Sequence, residues 1–188
     1  MPFIVLIDDD EDDLDMLSSA LQIHGFRVKT FDAGDQAIET LKTMATTHDL
    51  PELIILDYNM PRLNGEQVLN LLKSEDQIKS VPVIIYSTCL SDVCQNALVT
   101  MGAHGALVKS SNHHEFTFQV LRFKETALSF ARKAEPGIAR EGFKIFPLTP
   151  SVNKTRNSIS FTIALEELCL KQFPSQTNDL FLGGETDY

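Results

Sequence analysis

Tryptophan is absent from this 188-residue chain, so no indole fluorescence reports on its folding or binding. Cysteine is scarce. Cys89, Cys94 and Cys169 form neither an even set nor a metal-ligand spacing, which argues against a disulfide scaffold or a zinc site and fits reduced thiols. Basic residues are outnumbered: 16 Lys and Arg against 26 Asp and Glu leave a formal charge of −10, unfavourable for nonspecific attraction to nucleic acid or anionic lipid. Long apolar runs are missing too, so no segment is read as spanning a bilayer. Met1-Pro2-Phe3 carries no charged leader, and a cytoplasmic protein without a secretory signal is the expectation.

What the chain does have is a set of aliphatic runs that each end in a polar side chain. Leu53-Ile54-Ile55-Leu56 runs into Asp57, and Pro61 with Asn64-Gly65 supplies the turn that follows. A continuous aliphatic run is the mark of a strand buried on both faces. Phe3 to Ile7 empties into six consecutive acids, Asp8 to Asp13. Crowded carboxylates repel, and a hard divalent cation such as Mg²⁺ relieves that. Asp8 and Asp9, at the strand end, are read as metal ligands. Glu11 to Asp13 are read as the acidic start of a helix, favoured by its dipole. Val81 to Tyr86 ends in Ser87-Thr88, and Gly105 to Val108 delivers Lys109. Ser87 suits either a phosphoryl oxygen or a helix start, and Lys109 suits a charge partner for the aspartates.

Periodicity predicts strands over 3–7, 26–31, 53–57, 81–86 and 105–108 and helices over 11–24, 34–46, 64–75, 91–101 and 112–132. Strict alternation predicts a parallel sheet with helices on both faces, an α/β doubly wound fold. In the flavodoxin-like strand order 2-1-3-4-5, the ends of the first and third strands meet at the switch point. That order gathers Asp8, Asp9 and Asp57 in one pocket, with Ser87 and Lys109 on its far side. Histidines 24, 48 and 104 are scattered, and His113-His114 reads as surface near a helix start.

With these residues in this order, roughly residues 1–131 resemble the receiver domain of two-component response regulators. The Asp-x-x-Met-Pro-x-x-x-Gly context of Asp57 and Met101-Gly102-Ala103 before the last strand look like that family as well. The resemblance implies that Asp57 is the phosphoacceptor and takes a phosphoryl group from a phosphohistidine on a sensor histidine kinase or a histidine phosphotransfer protein. It implies Mg²⁺ on Asp8, Asp9, Asp57 and the Asn59 main-chain carbonyl, with Ser87 and Lys109 on phosphoryl oxygens. It implies a switch with slow autodephosphorylation rather than an enzyme, tuned by the side chains of Asn59 and Cys89. A phosphatase of the haloacid-dehalogenase kind is disfavoured, because Asn59 stands where that class places a general acid.

Two departures bear on the readout. Ala106 occupies the place where the family often carries a mobile aromatic residue. Ser110 follows the lysine where proline is usual, so the peptide there is expected trans or in a strained loop. The last helix has one apolar stripe, Phe116, Val120, Phe123, Ala127 and Phe130, and a second group, Phe118, Leu121, Leu128 and Ala131. One should pack on the sheet. The other, with Phe118 and Leu121 as its representatives, is expected to contact a downstream protein target, a second copy or the chain's own tail.

The receiver is drawn as residues 1–132 and a C-terminal extension as 133–188. Ala134-Glu135-Pro136-Gly137 marks the break, and a docked helix is expected over about 160–172. The extension has no helix-turn-helix spacing and no basic stripe, so neither nucleic acid nor membrane is expected as a partner. The alternative is a receiver-like scaffold with an idle phosphosite, its readout face covered by the tail.

Overall fold

Four aliphatic runs and the mixed run Arg27–Phe31 become five parallel strands. A computed structural model describes residues 1–134, and the expected helix over 160–172 lies outside them. The chain alternates β1 (Phe3–Ile7), α1 (Glu11–Ile23), β2 (Arg27–Phe31), α2 (Gly34–Thr46), β3 (Leu53–Leu56), α3 (Gly65–Ser74), β4 (Val83–Ser87), α4 (Asp92–Thr100), β5 (Gly105–Val108) and α5 (His113–Ala134). The strands form one sheet in the order β2-β1-β3-β4-β5, all parallel. This is the flavodoxin-like order, and the step from β1 to β3 makes the switch point.

Burial on both faces explains why the inner strands read as unbroken aliphatic runs. One face packs against α1 and α5: Ile4, Leu6, Ile55, Ile84 and Tyr86 meet Leu14, Leu17, Leu21, Val120, Phe123 and Ala127. The other packs against α2, α3 and α4: Val5, Ile7, Ile54, Leu56, Ile85 and Ala106 meet Ile38, Leu41, Val68, Leu72 and Leu98. Of the stripe foreseen on the last helix, Val120, Phe123 and Ala127 are buried and Phe116 packs beside them. Phe118 and Leu121 are half-buried, and the Phe118 ring meets His114 edge-on at 4.7 Å.

The boundaries differ from the sequence reading where backbone bonding decides them. Phe26 leaves β2 because its amide closes the end of α1, donating to the Leu21 carbonyl at 3.2 Å. Within β2 only Phe31 is fully buried; Val28 packs half-buried against the α1/α5 layer, and Arg27, Lys29 and Thr30 are exposed, as suits an edge strand. The fourth strand starts at Val83 because the Val81 amide turns back to Ile78, and it extends to Ser87, which pairs with Val108. No cis peptide occurs among the described residues, so Lys109–Ser110 is trans.

Candidate phosphoacceptor pocket

Each polar side chain of the pocket is set by a strand end. The Asp57 amide still bonds the Ile7 carbonyl (2.8 Å) and the Asp8 amide the Phe31 carbonyl (3.0 Å). Both aspartates therefore leave the sheet in ladder register at the switch point. Beneath them the turn approaches closely: a Cβ on Gly65 would stand 2.7 Å from the Tyr58 Cα, which is why glycine follows Asn64. Asn64 caps α3 reciprocally with Gln67, fixing where the turn ends. Asp10 caps α1, its carboxylate accepting from the amides of Asp12 and Asp13.

Asp8, Asp9 and Asp57 each present an oxygen within 4.8 Å of the others; Asp9 is exposed, Asp8 and Asp57 buried. Three hard oxygen donors at this spacing are able to hold a divalent metal ion, and two of them are already fixed by backbone amides. The Asp10 amide donates to Asp8 Oδ1 (3.1 Å) and the Asn59 amide to Asp57 Oδ2 (2.6 Å). Burial pushes the Asp8 carboxyl up to about 6, against the pull of Lys109 and of the Asp10 amide.

Lys109 reaches further than its place at the sheet's far side implies. Its ammonium lies 2.6 Å from Asp8 Oδ2, 2.6 Å from Asp13 Oδ2 and 3.3 Å from Asp57 Oδ1. Burial opposes the charge, but the bonds to Asp13 and Asp8 outweigh it and hold the Lys109 pKa above its usual value. The sequence pattern places Asp13 at the helix start alone. It lies four residues before buried Leu17, on the flank of the face that α1 turns to the sheet, and that spacing was the available signal.

Ser87 is fully buried, and its Oγ accepts a bond from the Asn59 side-chain amide at 3.3 Å. Beside it lies Tyr86, the last residue of β4 before Ser87. Its ring packs edge-on against Phe123 at 5.2 Å, and its hydroxyl donates to Gln119 Oε1 at 2.8 Å. Gln119 in turn donates to the Val108 carbonyl at 2.7 Å. Burial pushes the Tyr86 hydroxyl up to about 12, so it stays a donor. Ala106 is fully buried among the apolar side chains of the opposite face. Cys89 is exposed, Cys94 half-buried, and both thiols are free.

A doubly wound sheet with three carboxylates and an ammonium converging at its switch point defines a signalling receiver, a phosphoacceptor switch rather than a classical enzyme. The response regulator receiver domain family matches residues 4–120, and the chain belongs to that family of two-component systems. It is 31% identical over 108 residues to the two-component response regulator ORR3 of Oryza sativa subsp. indica, a match covering 57% of this chain and 79% of that protein. Identity is also 31% over 119 residues to protein RcaC of Microchaete diplosiphon, but there the match spans 63% of this chain and only 18% of that protein. Among solved structures, the phosphorylated cyanobacterial phytochrome response regulator RcpA superimposes with a TM-score of 0.61 at 26% identity, over 68% of this chain and 94% of that one. The Mn²⁺-bound form of response regulator Rcp1 shares the fold, with a TM-score of 0.59 at 22% identity over 74% of this chain and 100% of that one. Receiver domains interact with kinases or phosphotransfer proteins. No helix among the described residues is long and apolar enough to cross a membrane.

Proposed function

We propose that this protein is a cytoplasmic receiver that accepts a phosphoryl group on Asp57 in a Mg²⁺-dependent reaction and signals through protein–protein contacts. The observation that carries the reading is the position of Asp57: 5% exposed, grouped with Asp8 and Asp9, and 3.3 Å from the Lys109 ammonium. An Asp57 oxygen attacks the phosphorus of a phosphohistidine on a sensor kinase or phosphotransfer protein. A P–O bond forms, the P–N bond breaks, and the imidazole leaves. Asp8, Asp9, Asp57 and the Asn59 main-chain carbonyl would hold Mg²⁺, which supplies charge neutralisation between the carboxylates and the phosphoryl oxygens. Lys109 takes one phosphoryl oxygen and Ser87 another. Ser87 accepts from the Asn59 side-chain amide through an oxygen lone pair, which leaves its O–H proton to donate to that phosphoryl oxygen.

The output face comprises α4, β5 and α5, with half-buried Phe118 and Leu121 and the exposed side chains of Val93 and Val108. Its target is a downstream protein or a second copy, and residues 133–188 form an extension to the receiver of residues 1–132. Ala106 removes the aromatic side chain that often reports phosphorylation in this family, so the change must pass by another path.

Beryllofluoride, a non-covalent stand-in for the phosphoryl group, tests the reading by fluorine NMR. Binding is expected to require Mg²⁺ and to vanish in Asp57→Asn. No binding by the wild-type chain overturns the phosphoacceptor assignment and favours an idle scaffold. Binding without any change of mass in solution assigns the output to an external partner rather than a second copy.

A further inference from the structure

We infer that Asp13 is a positioning residue of the phosphoacceptor reaction: it holds Lys109 on the α1 side of the pocket, in competition with the phosphoryl group. The inference rests on the reading of Asp57 as phosphoacceptor and concerns a residue outside the pocket's three metal-grouped carboxylates.

Geometry carries it. An ammonium has three protons to donate. Here two hydrogen bonds go to carboxylates, at 2.6 Å to Asp8 and 2.6 Å to Asp13, while Asp57 stands at ion-pair distance, 3.3 Å. The longest of the three is the one to the side chain that would carry the phosphoryl group. Lys109 therefore rests against α1, and engaging a phosphoryl oxygen requires it to loosen a short, charge-assisted bond. Asp13 is well placed to hold it. Its Oδ2 makes that bond from the first turn of α1, a turn pinned by the Asp10 cap. The Asp13 side chain is 30% exposed and the Lys109 side chain 10%, so the pair is partly shielded from water.

The neighbouring acids do not share this geometry. Asp12 belongs to the same turn and is exposed, and its amide donates to the Asp10 cap. Asp12 thus supplies a matched control: the same charge on the same helix turn, without a contact to Lys109 among the bonds it makes. Removing a charge at 12 or at 13 takes the same charge from the first turn of α1 and so alters its interaction with the helix dipole similarly. Only removal at 13 releases the ammonium.

The test is titration of the full chain with beryllofluoride at saturating Mg²⁺, read by fluorine NMR, for the wild type and for Asp13→Asn, Asp13→Glu and Asp12→Asn. Asp13→Asn is expected to bind about fivefold more tightly than wild type, the scale of coupling between contacting residues. Asp12→Asn should stay within about twofold, and Asp13→Glu, which keeps a carboxylate within reach, should resemble wild type. Asp13→Ser, compatible with a helix start, replaces Asp13→Asn if that variant does not fold. Equal tightening by Asp12→Asn overturns the inference, because charge alone then accounts for the effect. So does unchanged or weaker binding in Asp13→Asn, or tightening in Asp13→Glu. Failure of the wild type to bind at all has a different meaning: it removes the phosphoacceptor reading itself, and the inference with it.

Discussion

The two helix layers meet the carboxyl edge of the sheet in different ways. On the α1/α5 side, strand ends are tied to helices by short polar bonds: Lys109 to Asp13 of α1, and Tyr86 to Gln119 of α5. On the α2/α3/α4 side the corresponding places are small and apolar, with Ala106 and Ala103 buried against Leu98 of the nine-residue α4. The buried Gln95 of α4 bonds the Leu90 carbonyl in its own lead-in loop, at 3.3 Å. Lys109 is thus bonded directly to α1, while α5 is held to the sheet by the Tyr86–Gln119–Val108 bonds. Helix α4 is coupled through packing, which gives way more easily than a network of buried bonds. Ala106 has no side chain to act as a lever on the α4 side, and on the other side Tyr86 is bonded to α5.

Core truncations give the largest expected contrast. Phe123→Ala should cost about 4 kcal/mol, because the ring is fully buried and packs on Tyr86, whereas Leu98→Ala on the short α4 should cost about 2 kcal/mol. Urea unfolding measures both, and equal losses would erase the proposed difference between the layers. Next comes Lys109→Met, which leaves the carboxylates of Asp8, Asp13 and Asp57 without their cation. A loss of about 3 kcal/mol is expected in metal-free buffer, shrinking when Mg²⁺ is added.

A smaller effect separates the polar ties. Gln119→Ala strands the Tyr86 hydroxyl and the Val108 carbonyl, for about 2 kcal/mol, and should raise hydrogen exchange in α5. Gln95→Ala, which removes one long bond, should cost under about 1 kcal/mol. If the two cost the same, the α5 tie has no special standing.

The last prediction concerns pH. Burial raises the Asp8 carboxyl to about 6, so protons compete with a metal ion there as the pH falls through that value. Mg²⁺ affinity should be flat above neutrality and fall about tenfold per unit below about 6, by calorimetric titration, for one proton displaced. The stability of the metal-free protein has the opposite sign. Since the folded pKa exceeds the unfolded one, this group favours folding at low pH and loses that contribution as pH rises through about 6. Asp8→Asn should flatten both profiles.

Local pattern was enough for most of the architecture. Four aliphatic runs, one mixed polar and apolar run and the 3.6-residue periodicity between them mark the five strands and five helices, because burial on two faces or one leaves its imprint on composition. The pocket was legible for the same reason: Asp8, Asp9, Asp57, Ser87 and Lys109 each end a strand, and strand order then brings them to one edge. Element ends were less legible, since a closing amide decides them, not the pattern.

The chain's own residue order thus determines that this is a parallel α/β receiver and which side chains stand at its carboxyl edge. Only the tertiary structure decides how those side chains pair. Asp13 is 96 residues from Lys109, and Tyr86 is 33 residues from Gln119. No local periodicity records a bond across such a separation, because it exists only once packing has set one helix against the end of a strand.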